Sequence, residues 1–254
     1  MKINFEKTPK FTADFETATW LDNESYVWAW ATYNIDTKAF NYGNNIADFI
    51  EFCKYYHNPI IYMHNLKFDG EFIIYFLNTH GYKYIKDKKE RRNYTYTTLI
   101  NNQGMFYTIE VYFRVGNKQT KKVTFVDSLK IIPFSVADIA RRYGMNIDKL
   151  EIDYFQEREK GHKLTIEEIK YIKHDVEIVA RALKHNFDNG LTKNTLSANA
   201  LNEFIKTIKR DVYEYIFPQL PYEIDKDIRQ AFKGRNKLFK SRYKRKRIKK
   251  WNSY

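Results

Sequence analysis

Through the first half of the chain, apolar and polar side chains alternate at a period of two in six places, near residues 11–17, 25–35, 59–64, 93–100, 105–114 and 122–127. Successive side chains of an extended backbone point to opposite faces. Alternation in stretches rich in β-branched and aromatic residues therefore predicts six strands. Between them the spacing becomes helical. Ile46, Phe49, Ile50 and Cys53 form one apolar stripe, and Phe72, Ile73, Phe76 and Leu77 form another that stops before Gly81. A third helix carries its own punctuation: Thr165 with Glu168 spells a capping box, and Gly190 offers a C-terminal stop. Strands alternating with helices, plus an inserted hairpin around GNKQT, predict an α/β domain with a mixed sheet. A smaller helical segment follows, from about Thr195 to Lys209.

One strand departs from its own pattern. The stretch FTADFETAT, Phe11 to Thr19, reads as a buried strand, yet it places Asp14 and Glu16 at i and i+2, on one face. Two like charges aimed at one spot repel. A divalent cation, an Arg or Lys, or solvent at a strand end would each offset that repulsion.

Composition sets bounds on the rest. With 254 residues, 43% of them hydrophobic, the chain can bury a real core, and scarce Gly (9) and Pro (5) argue against long disordered regions. The single Cys53 excludes an intrachain disulfide and fits a reducing compartment. The start, MKINFEKTPK, lacks the apolar run of a signal peptide, and the best apolar stretch, FIIYFL at 72–77, is far too short to span a membrane. A soluble cytoplasmic protein with no membrane partner is expected. The net charge of +13 is concentrated at one end: 12 of the 44 Lys and Arg lie between Ile228 and Tyr254, and the other 32 face 31 acidic residues, a net of +1. The tail KGRNKLFKSRYKRKRIKK reads either as a solvated arm or as one that binds phosphates.

Further acidic residues join Asp14 and Glu16. IIYMHNLKFDGEF puts Asp69 just after an apolar strand and at the start of a helix, with His64, Asn65 and Phe68 along the connecting loop. IEEIKYIKHDVEIV carries Tyr171 and Asp175 at i and i+4, on one helix face. Asp14, Glu16, Asp69 and Asp175 can then converge at the strand ends of one sheet. Four carboxylates together need cations, and hard oxygen ligands without a His cluster or further Cys select Mg²⁺ or Mn²⁺ over zinc. Taken singly, each has a plainer reading. Asp69 can cap its helix, Asp175 can pair with Lys173 or Lys184, Tyr171 can be a core residue, and His174 an exposed helical one.

Together and in this order, DFET, HNLKFDGEF and YIKHD resemble the three exonuclease motifs of the proofreading domain in family-B DNA polymerases, in the DEDD form with a Tyr in its third motif. The likeness is close to the protein-primed polymerases of small linear-genome phages and plasmids, and runs from about Phe11 to Gly190, more weakly to about Gly234. FVDSLKIIPF resembles that family's Ser-Leu motif at Ser128 and Leu129, and KLEIDY its Lys motif, with Lys149 followed by Ile152 and Tyr154. The resemblance implies a ribonuclease-H-like fold: a mixed sheet flanked by helices, with an inserted β-hairpin and a short helical C-terminal extension. It implies two Mg²⁺ or Mn²⁺ ions held by Asp14, Glu16, Asp69 and Asp175, an attacking water oriented by Tyr171, and phosphate charge stabilised by Lys149. Thr17, Asn65, Phe68, Ser128, Leu129 and Tyr154 would bind the 3′ end of single-stranded DNA, with Phe68 as a stacking face, and His64 and Phe72 would contact a terminal protein primer. A phage-encoded protein of this kind would work in the host cell cytoplasm.

Domain organisation follows the same comparison: residues 1–190 as the exonuclease domain, 191–227 as a helical extension, and 228–254 as a basic tail where the family carries a linker to its polymerase domain. The family's Y-x-G-G linker reads here Phe232, Lys233, Gly234 and Arg235, and neither D-x-x-S-L-Y-P nor D-T-D follows. The expected function is metal-dependent 3′→5′ hydrolysis of single-stranded DNA, as the proofreading part of a protein-primed polymerase. Primer extension is not expected from this chain alone, and a separate palm-bearing chain is an admissible partner. The alternative is a non-catalytic module that grips single-stranded DNA or terminal protein. An RNA-degrading DEDD exonuclease fits less well, because many of those place a His five residues before the last Asp, where this chain has Lys170.

Overall fold

The computed structural model describes residues 5–20, 24–116, 119–153 and 156–231. Eight strands, β1 (Lys10–Trp20), β2 (Glu24–Asn34), β3 (Phe40–Gly43), β4 (Ile60–Met63), β5 (Lys83–Tyr84), β6 (Thr95–Ile100), β7 (Phe106–Val115) and β8 (Thr120–Asp127), join in one sheet of order β3-β2-β1-β4-β8-β7-β6-β5. The helices are α1 (Ile46–Tyr55), α2 (Leu66–Thr79), α3 (Val136–Arg142), α4 (Ile166–Asp188), α5 (Leu196–Ile208) and α6 (Arg210–Ile216). β1, β2 and β3 are antiparallel neighbours, whereas β1, β4 and β8 run parallel. This is the ribonuclease-H-like mixed sheet, extended beyond β8 by antiparallel β7 and β6. The hairpin turn between β7 and β8 closes where the Gly116 amide donates to the Gln119 carbonyl at 3.1 Å.

All six strands marked by alternation are present, and β3 and β5 are additions that four and two residues are too short to announce. The parity of β1 explains how the sheet is sandwiched. Phe11, Ala13 and Phe15 enter one apolar layer with Phe49, Ile50 and Cys53 of α1 and Leu66, Ile73 and Leu77 of α2. The intervening residues turn to the other face, where Thr12 Oγ1 donates to the Val176 carbonyl of α4 at 2.7 Å. That second layer holds Ala29, Ala31 and Tyr33 of β2 against Ile172, Val176, Val179, Ala180 and Leu183 of α4. Alanines on β2 let the helix backbone lie close, and each large side chain buried outright contributes about 1.5–3 kcal/mol.

β2 carries a bulge that reverses its parity. Glu16 pairs with Ala29 and Thr17 with Val27, so Trp28 is the extra residue. Trp28 and Ala29, although consecutive, both lie in the α4 layer, while Val27 and Trp30 lie in the other. α4 begins with the expected capping box, Thr165 and Glu168 each accepting the other's backbone N–H. It ends in a Schellman motif: the Gly190 amide donates to Phe187 at 2.9 Å and the Leu191 amide to Asn186 at 2.9 Å, with Gly190 at φ +79°, where a Cβ would be strained.

The chain divides into two compact units between Ala200 and Leu201. The second holds α6, and in it Tyr213 meets Phe217 at 5.2 Å between ring centroids. No helix among the described residues is long and apolar enough to cross a membrane.

Candidate functional site

Asp14 and Glu16 lie on the α4 face of β1, in the middle of the sheet, because Phe15 between them takes the opposite face. Asp175 approaches from α4 one residue before Val176, whose carbonyl is tied to Thr12. Ligand atoms of Asp14, Glu16 and Asp175 all lie within 4.8 Å of one another. Asp69, in the first turn of α2, is outside that tight group, yet it is buried and feels the charges of Asp14 and Glu16.

The electrostatics are those of crowded carboxyls. Burial first, then Asp175, raises Asp14 to about 7 against the opposing pull of Lys149. Burial followed by Asp14 and Asp175 holds Glu16 well above the usual carboxylate range. Burial and Asp14 do the same to Asp69, and burial raises Asp175 although Lys149 opposes it. Two buried oxygens, Asp69 Oδ1 and Asp175 Oδ1, accept no hydrogen bond. Hard anionic donors that repel one another and leave oxygens unpartnered suit a divalent cation, and this carboxylate group could bind one.

Lys149 Nζ lies 2.9 Å from Asp175 Oδ2 and 5.9 Å from the ring centre of Tyr171, which is buried one turn before Asp175. The partner of Asp175 is thus Lys149, neither of the two lysines that the helix sequence suggested; Lys184 pairs with Asp188 instead. Asp69 is not the N-cap of α2 either. That position belongs to Asn65, held in the left-handed region at φ 75° and ψ 55°.

The remaining expected site residues surround this centre unevenly. Thr17 follows Glu16 at the bulge and is half-buried. Asn65 is exposed, and Phe68 exposes 51% of its surface while its edge meets Phe72 at 5.8 Å. Phe72 itself packs against the α1–α2 layer. Ser128 is fully buried, its hydroxyl donating to the Met63 carbonyl at 3.2 Å and lying 3.1 Å from His64 Nδ1; Leu129 beside it is half-buried. The second ring nitrogen of His64 meets the Phe134 carbonyl at 2.7 Å, and burial lowers its pKa. Tyr154 lies outside the described residues.

Two groups that sequence reasoning passed over are built into the same region. Asp127 ends β8 with its side chain buried. Arg158 and Glu168, both 4% exposed, form an ion pair at 2.5 Å, with the Arg158 guanidinium over the Trp28 ring at 4.5 Å and its charge acting on Glu16. An Asp directly before a Ser-Leu turn was the only signal for the first; Glu168 was read as a capping residue, and nothing local signalled its pairing with Arg158.

The protein-family model described as DNA polymerase type B, organellar and viral, matches residues 51–157 and 151–254. The chain belongs to that family. Among relatives, the DNA polymerase of Bacillus phage Nf is 37% identical over 239 residues, 94% of this chain, and that of Bacillus phage phi29 is 35% identical over the same share. The chain spans about two fifths of their length, 41% in each case. Among solved structures, phi29 DNA polymerase complexed with single-stranded DNA superimposes with a TM-score of 0.80 at 33% identity, covering 88% of this chain and 39% of that one. The ribonuclease-H-like fold and the kinship with phage family-B polymerases are therefore borne out.

Proposed function

We propose that this chain is the proofreading 3′→5′ exonuclease part of a protein-primed family-B DNA polymerase, hydrolysing the 3′-terminal phosphodiester of single-stranded DNA. The observation that carries this reading is the convergence of Asp14, Glu16 and Asp175 within 4.8 Å, with the buried Asp69 coupled to them. Asp14, Glu16, Asp69 and Asp175 would hold two Mg²⁺ or Mn²⁺ ions, which when bound neutralise charge on the phosphodiester and provide a nucleophilic hydroxide near neutral pH.

The chain's own residues supply the rest. Lys149, its side chain 35% exposed and paired with Asp175, would share its charge with a non-bridging phosphate oxygen. Tyr171, fixed by its burial in α4, would orient the attacking water through its hydroxyl. Phe68 offers an exposed ring on which a terminal base can stack, for about 1–3 kcal/mol. Asn65 and Leu129 would contact the strand beside it, Ser128 would act by holding His64, and Thr17 would border the metal ligands. His64 and Phe72 fit the terminal-protein contact that the family resemblance implies, and a palm-bearing chain remains a proposed partner.

The test uses single-stranded DNA labelled at its 5′ end. With Mg²⁺, shortening from the 3′ end is expected, and EDTA should abolish it. Binding without shortening in Mg²⁺ or Mn²⁺ would replace the enzyme by the non-catalytic binding module.

A further inference from the structure

We infer that Asp127 is a positioning residue that sets the spacing of the strand-binding cleft by gathering its two walls onto one carboxylate oxygen. Asp127 Oδ1 accepts the amides of Asn65 at 3.2 Å, Leu66 at 3.3 Å and Leu129 at 3.0 Å. β4 and β8 run parallel with Met63 opposite Asp127, so the loops that leave them, His64–Asn65 and Ser128–Leu129, start side by side. Asp127 is 2% exposed, and its other oxygen faces Lys130 at 3.6 Å.

What singles it out is a transfer of labour at the start of α2. An N-cap Asn ordinarily turns its side chain back onto the first free amides of its own helix. Asn65 makes no such bond. Asp127 instead takes the amides of the N-cap residue Asn65 and of Leu66, the first residue of the helix, from a different strand, and the exposed Asn65 side chain stays uncommitted to the helix and open to what enters the cleft. The same oxygen holds the Leu129 amide, so the Asn65–Phe68 wall and the Leu129 wall cannot drift apart while the three bonds last. This inference rests on the proposed reading in which Asn65, Phe68 and Leu129 touch single-stranded DNA.

Position and charge can be separated in the full chain. Asp127→Asn keeps an acceptor at the same place without the charge, Asp127→Glu keeps the charge but displaces the oxygen by a methylene, and Asp127→Ala removes both. Binding of a fluorescein-labelled single-stranded oligonucleotide is followed in EDTA, KM and kcat for shortening in Mg²⁺, and amide exchange across residues 63–70 and 127–130. Asp127→Ala and Asp127→Glu are expected to weaken binding and raise KM about tenfold or more, with kcat changed less than about threefold and faster local exchange, while Asp127→Asn stays within about threefold of the parent. If the Ala variant does not fold, the Asn and Glu pair decides. Equal defects in Asn and Glu, a defect confined to Asn, or unchanged binding and exchange in Ala and Glu would each overturn the inference. A parent that binds DNA but never cuts it would sink the proposed hydrolysis and leave the binding and exchange comparison intact. A parent that binds no single-stranded DNA would sink both.

Discussion

Phe15 decides the fate of its two neighbours: by entering the α1–α2 layer it obliges Asp14 and Glu16 to face Asp175 together. Replacing both carboxylates by Ala removes two of the four proposed ligands, and the rate of 3′ shortening is expected to fall by about a thousandfold or more. Near-normal rates in that double variant, in protein free of contaminating nucleases, would sink the assignment. Tyr171→Phe keeps the ring in its packed place and loses only the hydroxyl, so a milder loss of about tenfold is expected in the same assay. Away from the site, Gly43 shows how one hydrogen atom can be a packing requirement. A Cβ there would meet Trp30 Nε1 at 2.5 Å and Cε2 at 2.7 Å, and the indole is a stiff group, 4% exposed. Gly43→Ala should cost about 1–3 kcal/mol in chemical denaturation.

At the level of elements, α4 is both wall and workshop, and its first turn carries a second buried charge cluster. Glu168 closes the capping box through the Thr165 amide at 2.9 Å and also meets Arg158 and His162 Nε2, the latter at 2.8 Å. Burial alone would raise its pKa, but Arg158, the Thr165 amide and His162 outweigh burial and hold it below the usual glutamate range. A carboxyl with a lowered folded pKa stabilises the fold above its unfolded value of about 4.3, and that contribution is lost as acid titrates the folded group. Glu168→Gln is therefore expected to lower stability at neutral pH by about 3 kcal/mol, since Arg158 is left buried without a counter-ion, and to flatten the loss that the parent shows below about pH 4. Thermal melts from pH 3 to 7 read both effects.

The elements also mark where the sequence stops being legible. Both ends of α4 are written locally, as Thr165-x-x-Glu168 and Gly190, and the alternation along β1 is local too. The start of α2 was read at Asp69, although the helix begins at Leu66 and takes in Phe68, because its first amide is held by Asp127 on another strand. The bulge at Trp28 answers to His162 and Arg158, which lie far along the chain. The four carboxylates could be read because motifs gather them. Asp127 and Arg158 could not, because their work is done on main-chain atoms and buried charges that no spacing reveals.

For the whole molecule, the proposed ions act on stability as well as on rate. A ligand that binds only the folded chain stabilises it by about 2.7 kcal/mol at a hundredfold excess over its Kd. The melting temperature is therefore expected to rise on adding Mg²⁺ or Mn²⁺ and to return with EDTA, whereas the Asp14, Glu16 double Ala variant should show no response. An equal rise in that variant would place the bound ions elsewhere. The bond from Thr12 to Val176 joins points 164 residues apart, and the proposed ligands flank it on both sides. During synthesis β1 and α2 leave the ribosome long before α4, so a nascent chain holds Asp14, Glu16 and Asp69 without the Asp175 that completes them. Nuclease activity would then begin only after α4 has emerged and docked, and a messenger cut short before that helix would yield a fragment harmless to the DNA around it.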